Sequence, residues 1–292
     1  MRTVYWENES IMLVDQTALP GRYEQIQVTT IERLARAIYL LEVRGAPAIG
    51  VSAAFGLALA ARQSKARDAA GLIADIQIAH DVLAKTRPTA TNLFWALSHM
   101  MQFAQQHLAD WQNLPQLMLN EAQRMADEDV SINKRMARYG AELIPDGAVI
   151  MTHCNCGPLC AVDIGTAMGP VILAHQQGKK IHVYTDETRP LLQGARLNAW
   201  ELANAGVPYT LITDNTAAWI MQTHKKIDMV MIGVDRVAAN SDTAAKIGVY
   251  GVAVLAKHHG IPFYAVSPLS TIDMTLASGK EIPIETRDPD EV

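Results

Sequence analysis

Three cysteines, Cys154, Cys156 and Cys160, fall within seven residues in the run Thr152-His153-Cys154-Asn155-Cys156-Gly157-Pro158-Leu159-Cys160. The run directly follows an apolar, β-branched stretch that reads as a buried strand. A thiol at the end of a parallel strand can serve as nucleophile or base once deprotonated, whereas a buried thiol away from such a site is an inert small hydrophobe. Together with His153 the sulfurs also supply enough soft ligands for a metal, although the spacing is not the paired C-x2-C of structural zinc sites. Asp235, in Ile232-Gly233-Val234-Asp235-Arg236-Val237, either caps the next element or pairs with Arg236, or else works as a general acid. The apolar run before it leads us to expect partial burial, which favours the protonated form that such work needs. Arg44 precedes Gly45 and Ala46, where little side-chain bulk screens the backbone N–H groups. Arginine forks, bare amides and helix N-termini bind phosphate, so Arg44, Arg87 and, further on, Lys246 are candidate anion contacts, with ordinary surface turns as the alternative. The segment from Thr185 to Pro190 reads as a capping and turn segment rather than a catalytic dyad, with Gln193 and Arg196 beyond it able to face a crevice. His107, His258 and His259 read as helix-surface residues.

These side chains need elements to position them. Apolar spacing predicts helices over 31–41, 49–61, 68–84, 92–108 and 115–143, with Arg44-Gly45-Ala46-Pro47 breaking the pattern before the second. Pro88 biases Arg87 away from helix, and Thr91 or Asn92 can cap the helix that follows. After Pro145-Asp146-Gly147 the rhythm changes to short apolar runs at 149–152, 181–185, 209–213, 229–232 and 263–266, separated mostly by helix-length segments. Such alternation argues for βαβ units and a mostly parallel sheet. We therefore expect an α/β chain: a mainly helical N-terminal domain, 1–144, contributing phosphate-binding loops, and a Rossmann-like catalytic domain, 145–292. Each strand runs into polar residues, His153-Cys154-Asn155, Asp186-Glu187, Asp214-Asn215, Asp235-Arg236 and Ser267. In open parallel sheets the ligand crevice lies beyond the carboxyl ends of the strands, so these residues should converge.

Composition removes several classes. A chain of 292 residues with 49% hydrophobic and 19% charged residues can build a large core, which argues against disorder. A formal net charge of −5 and a pI near 6.0 give no electrostatic reason to expect nucleic acid or an anionic membrane as partner. Gly165-Thr166-Ala167-Met168-Gly169 has neither the glycine spacing of a dinucleotide fingerprint nor the lysine of a P-loop. The N-terminus lacks a signal-peptide pattern and no apolar run approaches a bilayer span, which leads us to expect a cytoplasmic location.

The chain resembles the methylthioribose-1-phosphate isomerases, within a larger family that includes ribose-1,5-bisphosphate isomerases and regulatory subunits of a translation-initiation exchange factor. The resemblance runs nearly end to end, through Asp15-Gln16-Thr17 with Leu19-Pro20, Val43 to Gly50, Thr86-Arg87-Pro88-Thr89, Asn92-Leu93, Thr152-His153-Cys154-Asn155, Asp186-Glu187-Thr188-Arg189-Pro190 with Gln193-Gly194-Ala195-Arg196, Thr213-Asp214-Asn215, Gly233 with Asp235-Arg236, and Lys257-His258-His259-Gly260. It implies a metal-independent, cofactor-free aldose–ketose isomerisation of a sugar phosphate in methionine salvage, by a homodimer. By position, Cys154 matches the family's catalytic cysteine and Asp235 its acid; Arg44, Gly45, Ala46, Arg87, Gln193 and Lys246 match substrate contacts. A sugar whose C1 oxygen carries phosphate cannot open as a free hemiacetal does, so its ring oxygen must be protonated. Hydrogen then moves from C2 to C1, as a proton through an enediol or as a hydride. The chain departs from the pattern at Cys156, Cys160, Ala245 and Ser241, which stand for small residues, an asparagine and a glycine, and it ends short of the family's usual C-terminal segment. Those departures touch the substrate site and leave open another 5-substituted ribose 1-phosphate, such as 5-deoxyribose 1-phosphate; a non-catalytic sugar-phosphate-binding regulator is the remaining alternative, against which the retention of Cys154 and Asp235 argues.

Overall fold

A computed structural model describes residues 2–87, 90–223, 227–286 and 288–292; Pro88 and Thr89 of the turn after Arg87 lie outside them. The chain divides into two compact units, Met1–Ser131 with Leu159–Asp163, and Ile132–Pro158 with Ile164–Val292.

The first unit opens with β1 (Val4–Glu7), β2 (Ser10–Val14) and β3 (Gln25–Val28), an antiparallel sheet in that order. The sequence reading contains no such sheet, because these strands are short and β3 is mostly exposed. Helices α1 (Ile31–Tyr39), α2 (Ala46–Gln63), α3 (Ala69–Ala84), α4 (Thr91–Gln106) and α5 (Leu114–Leu143) follow. Thr30 caps α1 and Asp68 caps α3 through their side chains, each satisfying an N–H three residues on. Helix α2 is buried continuously from Ala48 to Ala61, as a helix apolar on all faces must be. Proline does not break the chain ahead of it: Pro47 lies in its first turn, where a missing N–H costs nothing, so the helix starts at Ala46 rather than at residue 49. Ala90, not Thr91 or Asn92, stands at the N-cap of α4, without a side-chain bond. Asn92 is instead turned into the interior, where it is 4% exposed.

The second unit contains β4 (Val149–Thr152), α6 (Met168–Gln176), β5 (His182–Asp186), α7 (Ala199–Asn204), β6 (Tyr209–Ile212), α8 (Thr216–Thr223), β7 (Met229–Gly233), β8 (Arg236–Ala238), β9 (Thr243–Ala244), α9 (Val249–His258), β10 (Phe263–Val266) and β11 (Ile272–Asp273). Its main sheet has the order β10-β7-β4-β5-β6 with parallel neighbours throughout. Alternation along the strands covers both faces. Ile150, Val183 and Met231 pack with Met168, Val171 and Leu202 on one side; Met151, Val230 and Ile232 pack with Ile220, Val252 and Ala256 on the other. This is the α/β, Rossmann-like architecture expected. After β4 the sheet grows outward through β5 and β6, then turns to the opposite side of β4 with β7. The order therefore reverses between β4 and β7, the place where open α/β sheets leave a crevice at their carboxyl ends. A small sheet of order β11-β8-β9 is appended after β7.

Candidate active site

In the second unit, β4 delivers His153 and Cys154. Thr152 pairs in register with Thr185, so one step further His153 comes opposite Asp186. Their side chains meet, both buried, with His153 Nδ1 2.8 Å from Asp186 Oδ2 and His153 Nε2 2.8 Å from the Ile247 carbonyl. A carbonyl only accepts, so Nε2 carries a hydrogen, and a second proton lies between Nδ1 and the carboxyl. Burial opposes charge on His153, but the hydrogen bond and charge of Asp186 outweigh it and hold the ring above its ordinary pKa. Burial pushes the Asp186 carboxyl up, and the neighbouring imidazole only partly reverses it. Both directions retain the shared proton.

Cys154 is 7% exposed and adopts a left-handed backbone, φ 69°, which costs a non-glycine residue about 1–2 kcal/mol. Its N–H donates to Thr188 Oγ1 at 2.8 Å. Asn155 Nδ2 donates to the buried Glu201 carboxylate. Cys156 is also buried; its Sγ accepts the Gly233 N–H at 3.0 Å, tying the loop after β4 to the end of β7, two residues before Asp235. Asp235 itself is exposed, contrary to the partial burial expected. The reason is that β7 ends at Gly233, so the chain has left the sheet by Asp235, whose N–H donates to the Ala244 carbonyl at 2.9 Å. The β8–β9 pairing, Arg236 opposite Ala244, thereby sets Asp235 beside the segment that continues into Ala245 and Lys246. That segment is anchored in turn by the bond from His153 to Ile247. Gly248 follows with φ 101°, and a Cβ there would lie 2.6 Å from the His153 ring. Gln193 is 4% exposed, at the entrance to a π-helical turn, Gly194–Asn198, and its Oε1 has no hydrogen-bond partner among the described residues. The second unit thus gathers the segments carrying Cys154, Asp235 and Lys246 through explicit hydrogen bonds.

In the first unit, Arg44 and Gly45 lead into Ala46 at the start of α2, whose N-terminus has no side-chain cap and no acidic residue in its first turn. Pro47 has no N–H to offer, so the amides of Gly45, Ala46 and Ala48 together with the arginine make an anion-binding arrangement. Arg44 Nε donates to Gln16 Oε1 at 3.1 Å, and Gln16, itself buried, donates from Nε2 to the Leu159 carbonyl at 2.8 Å. Gly45 has φ 94°, and a Cβ there would stand 2.3 Å from the Cys160 carbonyl oxygen. Arg87 is half-buried between α3 and α4. Cys160 belongs to this unit and Cys156 to the other.

One grouping among the described residues has metal-ligand spacing, His153, Asp186 and Asp214. It contains no cysteine, so the cysteine-rich metal site that the sequence left open is not formed there. Both ring nitrogens of His153 are already engaged. The Asp214 oxygens accept the N–H groups of Thr188 and Arg189, each at 2.7 Å. The trio is a hydrogen-bonded brace. The sequence places Asp186 among the strand-end residues expected to converge but does not show its pairing with His153, and it does not single out Thr188, whose turn reads locally as a capping segment; the register of β4 against β5 is the signal that reveals both.

The initiation factor 2 subunit family matches residues 42–292. The chain belongs to this family. Among relatives, a methylthioribose-1-phosphate isomerase of Desulforamulus reducens is 51% identical, over 100% of this chain and 84% of that protein. Among solved structures, the 5-methylthioribose 1-phosphate isomerase of Pyrococcus horikoshii superposes with a TM-score of 0.92 at 48% identity, covering 99% of this chain and 81% of the other. A family member described as translation initiation factor eIF-2B, subunit delta, from A. fulgidus gives 0.87 at 44% identity, covering 100% and 84%. Further eIF-2B structures at 19% identity or below, such as one from Pyrococcus horikoshii with a TM-score of 0.69, share the initiation factor 2 subunit fold.

Proposed function

We propose that this chain is an aldose–ketose isomerase that converts 5-methylthioribose 1-phosphate to 5-methylthioribulose 1-phosphate in methionine salvage. The observation that carries the reading is the placement of Cys154 and Asp235 just past β4 and β7, the two strands that flank the reversal of sheet order. Relatives near 50% identity that bear the isomerase name support the substrate.

In this reading the exposed Asp235 carboxyl protonates the ring oxygen and its bond to C1 breaks, leaving an open chain whose C1 is an oxocarbenium stabilised by the oxygen that still carries the phosphate; hydrogen arriving at C1 from C2 then gives the ketose 1-phosphate. Cys154, shielded from water, serves the transfer of hydrogen from C2 to C1, as base toward an enediol or as a polar contact on a hydride path. Arg44, the Gly45 and Ala46 amides and Arg87 take the phosphate, with Lys246 as a further cation. The buried Oε1 of Gln193, which has no partner among the described residues, accepts from a sugar hydroxyl; an unpaired buried acceptor costs about 1–3 kcal/mol, so a donor from the substrate is favoured. The reading includes a homodimer and a cytoplasmic location; consistent with the second, no helix among the described residues is long and apolar enough to cross a membrane.

The test is ketose formation by the purified protein from methylthioribose 1-phosphate and from 5-deoxyribose 1-phosphate. Turnover of the first is expected to exceed that of the second, with C154S and D235N each lowering kcat by roughly 10²–10⁴. A higher kcat/KM for the deoxy sugar would replace the substrate, and binding without any ketose product would replace the enzyme with a sugar-phosphate-binding regulator.

A further inference from the structure

A cysteine held at φ 69° does not stay there by its own preference. Relaxation to negative φ would swing its Cα–Cβ bond, and with it the sulfur, away from its present direction. The restraint comes from the turn after β5. Thr188 is fully buried; its Oγ1 accepts the Cys154 N–H at 2.8 Å and lies 3.2 Å from the Asp186 carbonyl, to which it donates. A hydroxyl has one hydrogen to give, so the carbonyl receives it and the lone pairs face Cys154. Thr188 is itself left-handed, φ 67°. Its own N–H and that of Arg189 are clamped by the two oxygens of Asp214, at 2.7 Å each. The same turn holds the residue before Cys154, because Asp186 binds the His153 ring.

We propose that Thr188, braced by Asp214, is a positioning residue that holds the Cys154 thiol in its working direction. The inference rests on Cys154 acting in the isomerisation. Thr188→Val keeps the shape and removes the acceptor, whereas Thr188→Ser keeps the hydroxyl. Two readouts are taken on the full chain: steady-state kinetics with methylthioribose 1-phosphate, and the rate of iodoacetamide alkylation at the Cys154 peptide across pH, followed by mass spectrometry. T188V is expected to lower kcat about tenfold with KM nearly unchanged, the effect of one hydrogen bond lost from the reacting geometry. Its Cys154 alkylation should be several-fold faster, and T188S should restore both values. Asp214→Asn, which can accept only one of the two N–H groups through its remaining oxygen, should move both in the same direction by less, and it decides the matter if T188V does not fold. The proposal is overturned if the deciding variant leaves alkylation at the wild-type rate, whatever its kcat, or if T188S is as impaired as T188V, which would reduce Thr188 to a packing role. A C154A protein that turns over normally would remove Cys154 from the chemistry; the alkylation rate in T188V would still report whether Thr188 holds it.

Discussion

In the first unit the turn before α2 reaches φ 94° at Gly45, and in the second the turn after β4 reaches φ 69° at Cys154. The first position carries no side chain and has room for none, since the Cys160 backbone fills the space a Cβ would occupy. What that turn offers a ligand is backbone amides and the neighbouring Arg44, so glycine meets every requirement at once. The second position has to present a sulfur, so the residue type works against the backbone and the surroundings must overrule it. They do so with the Thr188 hydroxyl and with the buried His153–Asp186 pair beneath the turn. A backbone site can be written into one residue, whereas a side-chain site on a strained turn needs a supporting shell.

The largest effect expected from this contrast is at Gly45. Alanine there faces both a disfavoured backbone and backbone atoms that cannot move aside, so G45A should lose roughly 3 kcal/mol or more in urea unfolding; a loss below about 1 kcal/mol would mean that the turn adapts.

The supports also differ in titration. Gln16 and the Cys160 backbone hold the first turn without ionising, while the second stands on His153, whose folded-state pKa is raised above the ordinary 6.5. A raised pKa contributes stability fully below the unfolded value and loses it as pH climbs through the folded one. Stability should therefore decline above pH 6.5, by at most ~1.4 kcal/mol per pH unit for one proton. His153→Gln, though less stable at every pH, should flatten that part of the profile in thermal melts; an unchanged slope would take His153 out of the pH response.

The smallest effect is the most pointed. Replacing alanine by glycine ordinarily destabilises a folded chain, yet at position 154 the sign should reverse, with C154G more stable than C154A by about 1 kcal/mol. Equal or opposite stabilities would show that the left-handed turn carries no strain.

Much of this was legible in the residues. The runs that became β4 and β10 were located to the residue, β5, β6 and β7 within one, and the polar residues at their ends were named. Apolar spacing locates α1 to α5, with the start of α2 misplaced because Pro47 reads as a break instead of a first turn, whereas α6 to α9 are legible only as helix-length gaps between strands. The antiparallel sheet β1-β2-β3 and the small sheet β11-β8-β9 escaped, as strands of two to five residues carry too little periodicity to stand out. The position of Asp235 just past an apolar run is readable from the sequence, but its exposure is not, because such a run does not say where a strand stops.

What the sequence determined by itself is the set of chemical groups and the kind of element each one follows, because hydrophobic periodicity and turn chemistry act over a few residues. That sufficed to place Cys154 after a buried strand and Arg44 before a helix. Only tertiary structure decided that β7 lies beside β4, that Asp186 stands opposite His153, and that Thr188 reaches the Cys154 amide. These follow from strand order and register, which are set by the packing of both sheet faces against helices far away in the chain. The cysteine cluster was divided by the same cause: three sulfurs adjacent in sequence became one thiol held on a strained turn, one bonded to the end of β7, and one whose backbone closes over Gly45.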